Sequence, residues 1–271
     1  MSKSRVCAYC GEGGVLTKEH VFPDCFQRTF EPITPAKTLA GEKAILSALE
    51  IQDVCARCNN ERLSPLDNYF CDLNDSYFSK IVRPGDRIQF QFNWDLLLRT
   101  CLKIAYNVAR TRKEPIVTWQ GVTEYILKGG QCPAEFHIFL QLMIPTPATK
   151  ANRPLSPGTT EVPPWPMSVY QIDVSRFPGL SSGFWISVWS YRFFVLREDL
   201  HTLASTRRRT LAKCSRNTPG AYELTTRGIA TVYASSVDVL AAVENSRVFD
   251  EQLAEARKLK AATDRRRRHN H

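Results

Sequence analysis

The spacing of four cysteines constrains this chain more than any other feature. Cys7 and Cys10 form one C-x2-C pair and Cys55 and Cys58 another, with 44 residues between the two. Four thiolates in two such pairs are the ligand set with which tetrahedral zinc closes a structural site. Four protein ligands leave no open position for water, so a zinc ion held this way organises the chain and does no chemistry itself. Gly11, Gly13 and Gly14 follow the first pair and let the backbone turn tightly around an ion.

Between the pairs lies a second cluster. Glu19 is fused to His20, and Val21, Phe22 and Pro23 follow; directly behind the second pair come Asn59 and Asn60. Residues 15–22 are β-prone until Pro23 breaks them, and residues 51–54 read as a second short strand that delivers Cys55 and Cys58. A helix is expected from about Cys58, with Asn59 and Asn60 in its first turn. Further on, Ser64 fits an N-cap, Pro65 the first helical position, and Asp67 the place where a carboxylate complements the cap and the helix dipole.

This order of residues resembles the HNH nuclease family, the ββα-metal fold, in its zinc-bound branch. The resemblance covers roughly the first quarter of the chain. It implies that His20 is the general base taking a proton from the attacking water. It also implies that Glu19 and Asn59 ligate a catalytic divalent ion, Mg²⁺ or Mn²⁺, which oxygen ligands favour. Two different metals are therefore expected, since the four thiolates favour zinc. The family's central asparagine, which orients the histidine, has no counterpart among Leu49, Glu50, Ile51, Gln52 and Asp53. Gln52 or Asn60 is expected to substitute, and Arg62 to stand where relatives carry a lysine.

The remaining cysteines, Cys25, Cys71, Cys101, Cys132 and Cys214, are scattered and read as buried small hydrophobes. An odd total of nine, with four at metal spacing, suits a reducing compartment better than a disulfide framework. No apolar run is long enough to cross a bilayer and the N-terminus lacks the apolar core of a signal peptide, so a cytoplasmic protein is expected.

The formal net charge of +9 is unevenly distributed. Residues 1–80 carry 9 Lys+Arg against 11 Asp+Glu, leaving 27 against 16 for the rest. Any grip on a polyanion comes mainly from the C-terminal part. There Arg207, Arg208 and Arg209, with Lys213 and Arg216, are candidates for phosphate contact; a solvated surface turn is the plain alternative. Residues 94–112 place Leu97, Cys101, Ile104, Ala105 and Val108 on one face, the clearest amphipathic helix in the chain. Strand signals recur over residues 136–144, 169–174 and 184–196, with turns at Pro178-Gly179 and at residues 181–183. Seven prolines over residues 145–166 read as a long loop or linker. Residues 236–244 and 249–262 read as helices, and a basic tail closes the chain.

The expected fold class is α+β: a zinc-stabilised ββα-metal module over residues 1–82, a helix-plus-antiparallel-sheet domain over 83–262, and the tail over 263–271. The expected function is metal-dependent endonuclease, hydrolysing phosphodiester bonds in nucleic acid, DNA in the first place. A catalytically inactive zinc-dependent nucleic-acid-binding protein on the same scaffold is the alternative. Two roles stay open for the C-terminal domain: affinity for nucleic acid, or response to a regulatory ligand or partner protein.

Overall fold

The structure is a computed structural model that describes residues 6–26, 36–37, 44–45, 50–111, 119, 121–131, 133–147, 161–162, 164, 167–218 and 220–234. It is a mixed helix and antiparallel-sheet fold, α+β, with open sheets. The helices read at 236–244 and 249–262, the basic tail, and Cys132 lie outside the described residues.

Strand β1 (Leu16–His20) pairs antiparallel with β4 (Glu50–Cys55). The register slips between Thr17 and Glu19, so that Gln52 and Asp53 of β4 stand opposite the single Lys18. Such a bulge twists a strand and re-aims the side chains beyond it. Here it turns Glu19 into the core, where it is buried, and leaves the next residue, His20, partly exposed on the other face. Two short ribbons, β2 (Ala36–Lys37) with β3 (Ala44–Ile45) and β7 (Thr146–Pro147) with β8 (Glu161–Val162), complete the smaller pairings; the second closes the base of the proline-rich segment.

Behind β4 the chain runs helically from Cys58 to Phe78 as a π-helical turn (Cys58–Leu63), helix α1 (Ser64–Leu73) and a second π turn (Asn74–Phe78). Ser64 is not an N-cap. Its backbone N–H donates to the Asn59 carbonyl inside the continuous helical run, and no side-chain cap is made. The wide first turn accommodates Pro65, whose missing N–H would interrupt a regular ladder. Leu66, Phe70 and Leu73 form the buried face of α1 at three- and four-residue steps.

Helix α2 (Trp94–Thr111) is more deeply enclosed than its pattern predicts: from Leu97 to Ala109 every residue is buried except the half-buried Arg99. It crosses α1, whose Leu66 carbonyl accepts from the Thr100 hydroxyl, and joins a core that runs without interruption from Cys7 to Ala234. The boundary read at residue 82 therefore crosses a single continuous core. Helix α3 (Val122–Lys128) follows and ends at Gly129, whose positive φ of 64° suits a residue without Cβ.

The main sheet has the order β12-β6-β11-β10-β9, antiparallel throughout. Its strands are β6 (Phe136–Leu142), β9 (Ser168–Gln171), β10 (Leu180–Val188), β11 (Tyr191–Glu198) and β12 (Tyr222–Leu224). Residues 181–183, expected as a turn, lie inside β10. The reversal falls instead at Trp189 and Ser190, where Trp189 takes a φ of 48°. That strained tip is held down by Ser190, which is buried, accepts from the Val82 N–H through its hydroxyl and from the Met143 N–H through its carbonyl. A ribbon of β5 (Arg87–Gln91) and β13 (Ile229–Tyr233) stands beside the sheet. The arginine-rich stretch forms a helix, α4 (Ala204–Asn217), packed through Leu211 and Cys214 against Phe139, Leu180 and Leu196.

Candidate functional site

The first cysteine pair sits in a turn closed by N–H groups: Cys7 donates to the Glu12 carbonyl, and Gly11, at φ 74°, donates to the Cys7 carbonyl. Ala8 donates to the Asp53 carbonyl, which ties this knuckle to the bulged end of β4. The Sγ atoms of Cys7, Cys10, Cys55 and Cys58 all lie within 4.8 Å of one another. Four sulfurs at about 2.3 Å from a tetrahedral zinc stand about 3.8 Å apart. Cys10 and Cys55 are separated by 3.8 Å. The cluster is positioned to hold a metal ion, and its geometry fits zinc.

The thiols differ in their surroundings. Burial raises the Cys7 thiol, but the N–H groups of Cys55, Cys10 and Tyr9 outweigh it and bring the group down to about 7. Burial pushes Cys10 and Cys58 upward. Tyr9, inside the knuckle, donates through its hydroxyl to Asn107 Oδ1 at 2.7 Å, and its ring meets that of Tyr106 edge-on with centroids 5.0 Å apart. Arg110 lies over both rings and pairs with Asp53 at 2.5 Å. Helix α2 thus clamps the knuckle from outside the first 82 residues.

The bulge and the helix start converge on an open cleft of about 480 Å³. Its lining includes His20, Asp24, Asn59, Asn60, Asp67 and Asn68, with Cys25 and Cys71 in one wall. Among the described residues the lining contains no lysine or arginine.

His20 Nε2 lies 3.1 Å from Glu50 Oε1, the residue directly across the ladder, and its Nδ1 lies 3.9 Å from Asp24 Oδ1. Lys18 ion-pairs with the other oxygen of Glu50 at 2.8 Å, and this bond, with a smaller contribution from His20, holds the Glu50 carboxyl below its ordinary range. Asn59 is held by its amide nitrogen, which donates to Thr17 Oγ1 at 3.0 Å and to the Lys18 carbonyl at 2.8 Å. It caps the carbonyl of the residue facing the bulge. The atom it has left to offer is its carbonyl oxygen, a hard donor.

Glu19 does not line the cleft. Only 1% exposed, it pairs with Lys103 Nζ at 2.5 Å, and Lys103, which is wholly buried, contacts Asp67 Oδ1 at the same distance. Glu19 Oε2 is buried with no hydrogen-bond partner among the described residues. Burial pushes its carboxyl above the ordinary range, against the pull of Lys103. His20, Asn59 and Asn60 are therefore brought together at the cleft while Glu19 lies behind it. Gln52 is exposed on β4 and Arg62 half-buried, both outside the cleft lining.

Three residues at the site were not visible in the sequence: Glu50, Asp67 in its contact with Lys103, and Asp24. Only the register of β1 on β4 sets Glu50 across from His20. Cys25 and Cys71 correct a further expectation. They are not independent buried thiols but a disulfide, with Cα atoms 6.0 Å apart, joining the segment after β1 to α1. Cys101 is buried as a small hydrophobe. Among the described residues no helix is long and apolar enough to cross a membrane. Comparison of the chain with models of protein families, with known proteins and with solved structures gave no match.

Proposed function

We propose that this chain is a metal-dependent endonuclease of the HNH type, hydrolysing phosphodiester bonds in nucleic acid, DNA in the first place, around a structural zinc on Cys7, Cys10, Cys55 and Cys58. The observation that carries this reading is the meeting of His20 and Asn59 in one cleft beside the four thiols, at the junction of an antiparallel strand pair and a helix.

His20, an imidazole with one ring nitrogen free of a direct hydrogen bond to Glu50, is suited to general-base work. With its proton on Nε2, the Glu50 carboxylate accepts it and fixes the ring, leaving Nδ1 to take a proton from water. The 3.9 Å between Nδ1 and Asp24 is too long for a direct hydrogen bond. A phosphate entering a cleft lined by carboxylates, amides and one imidazole meets no fixed cation among the described residues, so a bound cation is needed to balance its charge. The donors present, the Asn59 carbonyl oxygen and the Asp67 carboxylate, suit Mg²⁺ or Mn²⁺. Such an ion, when bound, neutralises charge on the phosphate and on the leaving oxygen. Lys103 holds one oxygen of each carboxylate, but Glu19 is buried behind the cleft whereas Asp67 is partly exposed and lines it, so we assign Asp67 as the carboxylate beside Asn59. Asn60 completes the wall.

The engagement of Glu19 by Lys103 is the observation that favours the second reading, a zinc-dependent nucleic-acid-binding protein without catalysis. A supercoiled-plasmid assay with Mg²⁺ or Mn²⁺ decides. The endonuclease cuts, and His20→Ala lowers cutting by at least about 100-fold while binding persists. Absence of cutting by the unaltered protein with either ion leaves the binding protein.

A further inference from the structure

Helix α4 has two faces with different fates. One is fixed to the body of the protein: Leu211 and Cys214 pack on the sheet, and the Thr210 hydroxyl donates to the Pro178 carbonyl. Gly179, at φ +96°, brings its backbone so close that a Cβ there would stand 3.1 Å from the Arg207 Cα. Arg207 belongs to this face. Its Nε donates to Glu198 at 2.8 Å and its Nη1 to the Thr202 carbonyl at 2.5 Å, so it is a strut and is not available to a ligand.

The other face carries the remaining cations. Arg208, Arg209, Lys213 and Arg216 are all exposed. At 100° per residue they fall within an arc of about 140°, opposite Leu211 and Cys214. Between Ala204 and Asn217 there is no acidic residue, and among the described residues no ion pair is made by these four. Their neighbours on the arc are Ser205 and Ala212. A helix that enters a membrane surface needs a free apolar face, and the apolar face of α4 is already buried against the sheet. From Arg208 to Arg216 the helix advances about 12 Å, a length of duplex axis over which one strand of B-form DNA carries about three or four phosphates.

We propose that this exposed face of α4 is a docking surface for the phosphate backbone of duplex DNA, built from Arg208, Arg209, Lys213 and Arg216 and braced by Arg207. The inference rests on the reading of nucleic acid as substrate, and adds to the cationless cleft the cationic surface that holds the duplex to the protein.

The test is fluorescence anisotropy of a short labelled duplex with the full zinc-loaded chain, without added Mg²⁺ or Mn²⁺, across a salt series. Arg209→Glu with Lys213→Glu is compared with Lys80→Glu with Arg227→Glu, which changes net charge equally at exposed positions elsewhere; thermal melting confirms that both fold. The expected result is a loss of affinity of at least about 10-fold for the α4 variant, with the slope of log K against log salt shallower by about 2. The control variant should move affinity less than about 3-fold. Equal weakening by both variants, no weakening by the α4 variant, or loss of binding to phosphatidylserine vesicles with duplex binding intact overturns the proposal. So does failure of the unaltered protein to bind duplex. A protein that binds through α4 but never cuts plasmid sinks the endonuclease reading and leaves this surface standing.

Discussion

Lys103 Nζ lies 2.5 Å from Glu19 Oε1, with the two side chains 0% and 1% exposed. An ion pair this deep is costly to form and more costly to break, because removing one partner strands the other charge without water. Lys103→Met is expected to destabilise the protein by about 3–5 kcal/mol, and adding Glu19→Gln to recover a good part of that loss. Chemical denaturation of the single and double variants measures both; a double variant no more stable than the single one argues against the pair as drawn.

Zinc removal should be felt throughout the N-terminal part. The knuckle has few buried side chains of its own, and structural zinc contributes about 10 kcal/mol or more to small sites of this kind. Dialysis against a strong chelator, or Cys58→Ser, should remove about one equivalent of zinc. The β1–β4 pairing should be lost with it, read as rapid amide hydrogen exchange along the two strands, and the Cys55 N–H, which donates to Cys7 Sγ, should lose its protection too. Unchanged protection after metal loss would refute the structural role.

On the proposed endonuclease reading, Glu50→Gln separates orientation of His20 from binding of the substrate. Glutamine keeps the size and offers Nε2 a weaker acceptor, so cleavage is expected to fall by about 10-fold with duplex affinity unchanged. Asp67→Asn, at the assigned ion ligand, should instead raise the Mn²⁺ concentration needed for half-maximal cleavage and weaken Mn²⁺ binding followed by electron paramagnetic resonance. Equal effects of the two substitutions on ion binding would contradict this division of labour.

The Cys25–Cys71 bridge closes a loop with a sequence separation of 46. By loop entropy, opening it costs about 4 kcal/mol. Melting with and without dithiothreitol, and of the Cys71→Ser variant, should show matching decreases. A chain indifferent to reductant would mean that the thiols are free in solution.

His137 gives a pH dependence remote from the cleft. Burial lowers its pKa, but hydrogen bonding and charge from Glu223, at 3.0 Å, and charge from Glu198, at 3.4 Å, overcome it and leave the group raised. A histidine raised in the folded state stabilises most below its unfolded pKa of about 6.5, and the gain is lost as pH climbs through the higher folded value. Stability should therefore decline on going upward through that window. His137→Gln should flatten the decline, which denaturant titrations at a series of pH values would detect.

The cysteine spacing, the two short strands and helices α1 and α2 were legible because each is local: a motif, an alternation or a three- and four-residue step. Helix α4 was hidden because only Leu211 and Cys214 bury its inner face, too few to register as a stripe among five cations. The Trp189–Ser190 reversal carries neither glycine nor asparagine, and is enforced by contacts from Val82 and Met143 that no local rule contains. At the cleft, His20 and Asn59 were singled out by their places around the two cysteine pairs, and the fold brings both to one lining. Glu50 was not readable as a partner, since its position opposite His20 depends on one extra residue in β4. The disulfide was invisible for the same reason: parity and spacing say nothing of two thiols that meet only after α1 has packed.

The clamp of α2 on the knuckle sets an order on assembly. Tyr9 and Asn107, and Ala8 and Tyr106, are each 98 positions apart in the chain. On a ribosome all four thiols emerge well before the tyrosine and asparagine that will cover them. A nascent chain can therefore take up its ion while the site is still open to water, and the later arrival of α2 seals a cluster that has already been loaded.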